Sequence, residues 1–139
     1  MESSVSALLI DTNVIVDLLK ADPEWMPWSA KQLVLARNQR PLCINIVVYA
    51  ELCSHRQTQS QIDGFLQDVG IQIPAISITA ALAAAQAFLQ YRQRGGGKTG
   101  VLPDFFIGAQ AQAEGWTLLT RDAARYKTYF PGIKLICPV

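Results

Sequence analysis

Five short apolar runs space out the chain: Ala7–Ile10, the patch around Cys43, Ile71–Ile73, Trp116–Leu119 and Lys134–Cys137. Each is rich in branched or aromatic residues and bounded by polar or turn residues, the pattern of a buried or edge strand. Between them, apolar side chains recur at helical spacing. Val14, Val16, Leu18 and Leu19 begin one such pattern, Leu33, Val34 and Ala36 mark a second, and Val47, Val48, Ala50 and Leu52 a third. Others cover Ile62–Val69, Ala80–Tyr91 and Phe105–Ala113. Strands that alternate with helices need crossover connections, which give parallel pairing with helices on both faces. The pattern predicts an α/β fold, a three-layer α/β/α sandwich with a mostly parallel central sheet. Two connections stand out: the glycine-rich "RGGGKTG" (Arg94–Gly100) and the aromatic "ADPEWMPW" (Ala21–Trp28).

Composition narrows the setting. With 139 residues, half of them apolar, residues 1–139 are expected to form one domain around one sizeable core. Twelve Lys and Arg against eleven Asp and Glu leave a net charge of +1, which excludes a strongly basic coat or an acidic tail. Any contact with nucleic acid must then be local. The stretches "SALLI" and "ALAAAQAFL" fall short of the roughly 20 residues that span a bilayer. The first follows Glu2 and no basic residue, unlike a signal peptide, so a cytoplasmic protein without a membrane partner is expected. Cys43, Cys53 and Cys137 form no C-x-x-C pair and suit reduced thiols better than a disulfide frame or a zinc site.

The segment Gly95–Thr99 has the ending of a phosphate-binding loop, but the G-x-x-x-x-G-K-[ST] pattern would place its first glycine where Arg92 stands. Such a loop also follows a strand, whereas Thr79–Arg94 is rich in helix formers. A helix ending near Arg94, with arginines at its negative end and Gly95 in a left-handed cap, accounts for the composition. Arg92, Arg94 and Lys98 remain candidate contacts to phosphate backbones.

Acids at element boundaries offer a firmer lead. Asp11 follows the first strand, Asp122 follows the exit of "WTLLT", and Asp104 follows Pro103 where proline and acid both suit a first helical turn. Glu51 lies inside the helical pattern "NIVVYAELCSH". In an open parallel sheet the strand exits share one edge, where ligands bind. Singly, each acid also reads as a cap, a turn residue or a solvated helix position. Together, four carboxylates a few ångströms apart would raise one another's pKa unless a divalent cation neutralised them. Hard oxygen donors without His or Cys suit Mg²⁺ or Mn²⁺. His55, four residues after Glu51, reads as a surface or capping residue rather than a base. No Ser-His-Asp or Cys-His arrangement marks a nucleophile.

The segments "LLIDTNVIVDLL", "VVYAEL", "LPDFFIGAQAQAEGWTLLTRD" and "ARYKTYFPGIKLI" resemble, in order and spacing, the PIN-domain nucleases, and the short length resembles the VapC-type toxins of toxin–antitoxin pairs. Position by position, the family's four acids fall on Asp11, Glu51, Asp104 and Asp122, and its hydroxyl residue on Thr120. The loop "AELCSHRQTQS" departs from the small residue and glycine that many relatives have after "AEL". The resemblance implies a Mg²⁺ or Mn²⁺ site made by those carboxylates, endonucleolytic cleavage of RNA, a homodimer, and a cognate antitoxin that blocks the site.

On this reading Asp11, Glu51 and Asp104 hold the ion directly or through water, with Asp122 as ligand or supporting partner. Thr120 holds a water or phosphate oxygen, or else caps the turn. Arg121 and Arg125 are candidate phosphate contacts or solvated helix charges, as are Arg92 and Lys98 in the glycine connection. A receiver-like Mg²⁺-binding phosphoacceptor is the alternative of another class. It needs an acidic pair after the first strand, where this chain has Asp11-Thr12-Asn13. A non-catalytic RNA- or protein-binding module is a third. Trp25, Met26 and Trp28 fall in an expected connection between two helices, and read either as a plug on the core or as part of an antitoxin surface.

Overall fold

The computed structural model describes residues 6–98 and 100–139, so Glu2 and Thr99 lie outside the described residues. Five strands, β1 (Leu8–Ile10), β2 (Leu42–Cys43), β3 (Ile71–Gln72), β4 (Thr117–Leu119) and β5 (Lys134–Ile136), form one sheet in the order β3-β2-β1-β4-β5. Every pairing is parallel, with Leu9 beside Cys43 on one side and Leu118 on the other. Among the described residues seven helices complete the α/β/α layers: α1 (Thr12–Leu19), α2 (Met26–Arg37), α3 (Ile46–Ser54), α4 (Gln59–Val69), α5 (Ile78–Gln93), α6 (Leu102–Glu114) and α7 (Ala124–Tyr129). The sheet is wholly parallel, stricter than the pattern required.

The central strands explain the apolar runs. Leu8, Leu9, Ile10, Leu118 and Leu119 are fully buried, as expected of a parallel sheet covered on both faces, where side chains of either parity meet a helix. Ile15, Leu52, Ile62, Phe105 and Ile107 supply the facing helical surfaces. Strand ends fall within a residue or two of the expected runs except at β2, where the apolar patch "LCINI" is cut short because Asn45 caps α3 and Ile46 begins it. From β1 the described chain builds outward to β3, then returns through α5 and α6 to lay β4 on the other side of β1. This reversal of direction opens a crevice at the carboxyl ends of β1 and β4.

Three local findings refine the sequence reading. First, the aromatic connection is shorter than expected: Met26, Pro27 and Trp28 form the first turn of α2, with proline in the N1/N2 position where its missing N–H is no loss. Asp22 accepts from the N–H groups of Glu24 (2.9 Å) and Trp25 (2.9 Å), a local turn that leads into that helix. Second, the glycine connection follows the C-terminus of α5 with Gly95 at φ 89°, and no strand leads into it, which removes the nucleotide-loop geometry. Third, α7 was not expected as a helix; it is only six residues long, too short for a clear apolar period.

Gly108 marks a close approach of α6 to the Phe130 ring. A Cβ there would lie 2.4 Å from the ring of Phe130, itself 2 % exposed and unable to move aside freely. Gly64 in α4 has open space around it. Gly108→Ala is therefore expected to lower stability by about 1–3 kcal/mol through overpacking, and Gly64→Ala to raise it by about 0.5–1 kcal/mol through helix propensity. Urea denaturation of the two variants beside the parent checks both signs.

Candidate functional site

The crevice holds a cavity of about 380 Å³ lined by Asp11, Thr12, Asn13, Glu51, His55, Asp104, Arg121, Asp122 and Arg125, with Val16 and Ala124. All four candidate acids thus reach one space. Asp11 sits where β1 ends and α1 begins, and as the N-cap of α1 it accepts from the Thr12 N–H at 2.8 Å. Its other oxygen accepts from the Thr120 hydroxyl at 2.8 Å and the Tyr126 hydroxyl at 2.9 Å. Asp11, Thr120 and Tyr126 are all buried. The Asp11 carboxylate is therefore fixed by groups from α1, the exit of β4 and α7.

The remaining groups come from separate elements. Glu51, on α3, accepts from the Thr12 hydroxyl at 2.5 Å. Asp104 lies in the first turn of α6, just after Pro103, and accepts from Arg125 at 2.5 Å. Asp122 is exposed beyond β4, and its N–H donates to the Thr120 hydroxyl oxygen at 3.1 Å. Asn13 ties α1 to the β4 exit, donating to Thr120 at 3.4 Å and accepting from the Arg121 N–H at 3.3 Å.

Arg121 is committed more firmly than a solvated charge. Its Nε and Nη2 donate to the two oxygens of Asp17 at 2.9 and 3.0 Å, a bidentate pair in which Asp17 is 1 % exposed. Ser29 of α2 donates to the same carboxylate at 2.8 Å, and Trp25 lies 5.3 Å from the guanidinium carbon. Two of five N–H donors are thereby used, on a side chain that still borders the cavity.

Burial raises three of these acids, with mutual repulsion adding to it. Burial, then the charge of Asp104, pushes Asp11 up to about 7 against the lowering effect of its hydrogen bonds. Burial raises Glu51, partly offset by Thr12, and burial raises Asp104 despite Arg125 beside it. Tyr126 is pushed well above its ordinary value by burial and by the charge of Asp11. Among the described residues no three acidic, histidine or cysteine side chains are gathered tightly enough to chelate one ion unaided. The donor set is nonetheless all oxygen and short of positive charge, which fits a hard cation such as Mg²⁺ that keeps several of its waters.

Lys98 and Arg92 do not line the cavity. Lys98 donates its backbone N–H to the Tyr91 hydroxyl at 3.2 Å, and Arg92 lies 5.7 Å from the Phe88 ring centroid. Sequence reasoning missed Thr12, Asn13, Asp17 and Tyr126. Thr12 and Asn13 adjoin Asp11 and were open to notice; Asp17 and Tyr126 carried no signal because their partners are distant in the chain. His55 also borders the cavity, at the end of α3, with Nδ1 3.4 Å from Lys20 Nζ.

A wholly parallel open sheet with an acid-lined crevice at its switch point defines an α/β protein of the class that binds ligands at the carboxyl ends of its strands. The chain belongs to the PIN domain family, whose sequence model matches residues 8–131. Its fold is similar to VapBC2 from Rickettsia felis bound to a DNA fragment from their promoter, at 21% identity and TM-score 0.74, covering 96% of this chain and 99% of that one. It is also similar to DNA-bound VapBC from Salmonella typhimurium (18% identity, TM-score 0.70, covering 96% and 98%). A toxin–antitoxin complex from Klebsiella pneumoniae shows the same fold (23% identity, TM-score 0.66, covering 95% and 98%). Curated protein sequences give no match.

The raised acids make a signed prediction for the metal-free protein. Asp11 binds its proton more tightly in the fold than in the unfolded chain, so its contribution to stability is full below 3.8 and is lost as pH rises through about 7. Glu51 and Asp104 act with the same sign. In EDTA the melting temperature should therefore fall from about pH 5 to about pH 8, by roughly 3–8 °C for a domain of this size. Asp104→Asn, which removes the repelling neighbour, should flatten the curve. Scanning fluorimetry across that range decides it, a rise with pH being the contrary outcome.

Proposed function

We propose that the chain is a Mg²⁺- or Mn²⁺-dependent endoribonuclease, the toxin component of a toxin–antitoxin pair, with residues 1–139 acting as a single nuclease domain. The observation that supports this most is the convergence of Asp11, Glu51, Asp104 and Asp122 on one cavity at the switch point of a PIN fold, with Asp11 pushed up to about 7 by burial and its acidic neighbour. Asp11, Glu51, Asp104 and Asp122 would hold the ion. When bound, it supplies charge neutralisation and Lewis acidity for attack of water on a phosphodiester.

The protein's own groups then have separable tasks. Thr120 and Tyr126 aim Asp11, and Thr12 aims Glu51, so these two carboxylates are oriented before any ligand arrives. Asp122, exposed at the mouth, has room to serve as a ligand or to hold a ligand's water. Arg121, fixed by Asp17, presents its remaining donors as a phosphate contact. Arg125 offers a second, once Asp104 is engaged by the cation. No histidine base is required.

The solved relatives are complexes of toxin–antitoxin systems, which supports a cognate antitoxin that covers this site. A homodimer and a cytoplasmic location follow from the same reading. Among the described residues no helix is long and apolar enough to cross a membrane. Trp28 packs against the core while Trp25 lies on Arg121, so the core-plug reading holds for Trp28 and the antitoxin surface narrows to Trp25 and the exposed Met26. A receiver-like phosphoacceptor finds less support: Glu51 sits inside a helix, and Asp11 has no acidic neighbour in sequence.

Asp104→Asn is expected to fold normally and to lose nearly all Mn²⁺-dependent cleavage of RNA, while EDTA abolishes cleavage by the parent. Millimolar Mn²⁺ should raise the melting temperature of the parent more than that of the variant, because a ligand that binds only the folded state stabilises it. Full activity of the variant at saturating Mn²⁺, or equal shifts in both, would remove the assigned site.

A further inference from the structure

Next to the cavity, Phe88, Tyr91, Phe105 and Tyr129 form one aromatic cluster. Ring centroids are 6.0 Å apart for Phe88–Tyr91, 5.6 Å for Tyr91–Phe105, 6.1 Å for Tyr91–Tyr129 and 5.2 Å for Phe105–Tyr129. Phe105, the residue after Asp104, is buried; the other three are half-buried at the ends of α5 and α7. Three guanidinium groups lie on this cluster. Arg92 is 5.7 Å from the Phe88 centroid, Arg94 is 5.4 Å from that of Tyr129, and Arg125 is 6.0 Å from that of Tyr91. Arg125 also bonds Asp104 and borders the cavity, so one end of the row lies in the site and the other on the open surface.

The glycine connection is folded onto the same cluster. Gly96 donates to the Tyr91 carbonyl at 2.9 Å, and it sits so close to the ring that a Cβ would meet it at 2.4 Å. The Lys98 N–H on the Tyr91 hydroxyl keeps Lys98 beside the row. Among the described residues Arg92, Arg94 and Lys98 make no ion pair, whereas Arg121 and Arg125 do. An arginine laid on a ring is restrained in its rotamers yet keeps its N–H edges free for an oxygen anion. With a net charge of only +1, such a local cluster rather than a whole-molecule field must draw a polyanion.

We infer that this arginine–aromatic row is the track for single-stranded RNA, carrying the backbone away from the cavity over Arg125, Arg94 and Arg92 with Lys98 at its edge. The inference rests on the nuclease reading above and adds to it the route of the substrate. A flexible strand can lower one phosphate into the cavity while its neighbours remain on the arginines; a stiff A-form duplex cannot.

The test is the triple variant Arg92→Ala, Arg94→Ala, Lys98→Ala, whose positions are exposed and outside the carboxylate site. Binding of a labelled single-stranded oligoribonucleotide is measured in EDTA as a function of salt. The variant should bind at least about tenfold more weakly at low salt, and the slope of log K against log salt should shrink by about 2, near 0.7 per lost phosphate contact. Hydrolysis of bis(p-nitrophenyl) phosphate with Mn²⁺, a substrate that needs only the cavity, should match the parent. Parental affinity and slope in the variant would overturn the track and leave the nuclease standing. Equal loss of binding and of small-ester hydrolysis would also overturn it, since the segment would then support the site and not the strand. Weakened binding in the variant, with no small-ester or RNA hydrolysis by the parent, would keep the track and remove the nuclease reading.

Discussion

A carboxylate placed at the buried end of the central strand is the constraint around which this protein is arranged. Moving an isolated charge out of water is prohibitively unfavourable, and a group so placed must find hydrogen bonds, a counter-charge or a proton. Asp11 has three donors, the Thr12 N–H, Thr120 and Tyr126, and still holds its proton to about neutrality. Those donors come from three elements that the sheet order alone brings together. β4 must lie beside β1 for Thr120 to reach, and α7 must fold back over the β4 exit for Tyr126 to do so. The strand order β3-β2-β1-β4-β5 therefore creates the demand for these partners and supplies them.

A second buried acid shows the other solution to the same problem. Asp17, on the helix that Asp11 caps, is matched by a full counter-charge from Arg121 and by the Ser29 hydroxyl. It consumes an arginine and fixes its direction. Asp11 and Asp17 lie six positions apart in sequence and differ in what surrounds them. One is left short of positive charge beside an open cavity, and the other is sealed. Only the first retains an unmet electrostatic need, and an unmet need at a cavity is where a ligand has most to contribute.

The sequence carried most of the fold and most of the acids, for identifiable reasons. A parallel sheet buries both faces of each strand, so β1 and β4 read as continuous apolar runs, Asp11 and Asp122 were found by their position at the exits, and Thr120 came from the family resemblance. Asp104 was legible through Pro103, which announces a helix start. Glu51 had no such marker: it stood out only as an acid inside the apolar helical pattern "NIVVYAELCSH", and a helix interior gives no local sign of whether an acid faces solvent or a site. Tyr126 and Asp17 stayed hidden because their roles depend on partners more than a hundred residues away. The aromatic stretch misled for a different reason: Pro27 reads as a breaker in isolation but suits the first turn of α2. Where a role is local the chain states it, and where it comes from long-range packing only the fold can.

That separation has a consequence for how the protein comes into being. Asp11 precedes Thr120 and Tyr126 by more than a hundred residues in the chain, and on that side β1 has no neighbour until β4 exists. A growing chain therefore carries its acid early but cannot hold it in place. A fragment that stops before β4 lacks the Thr120 and Tyr126 hydroxyls that orient the Asp11 carboxylate, so the acid cluster takes its form only once the last third of the fold has been laid down.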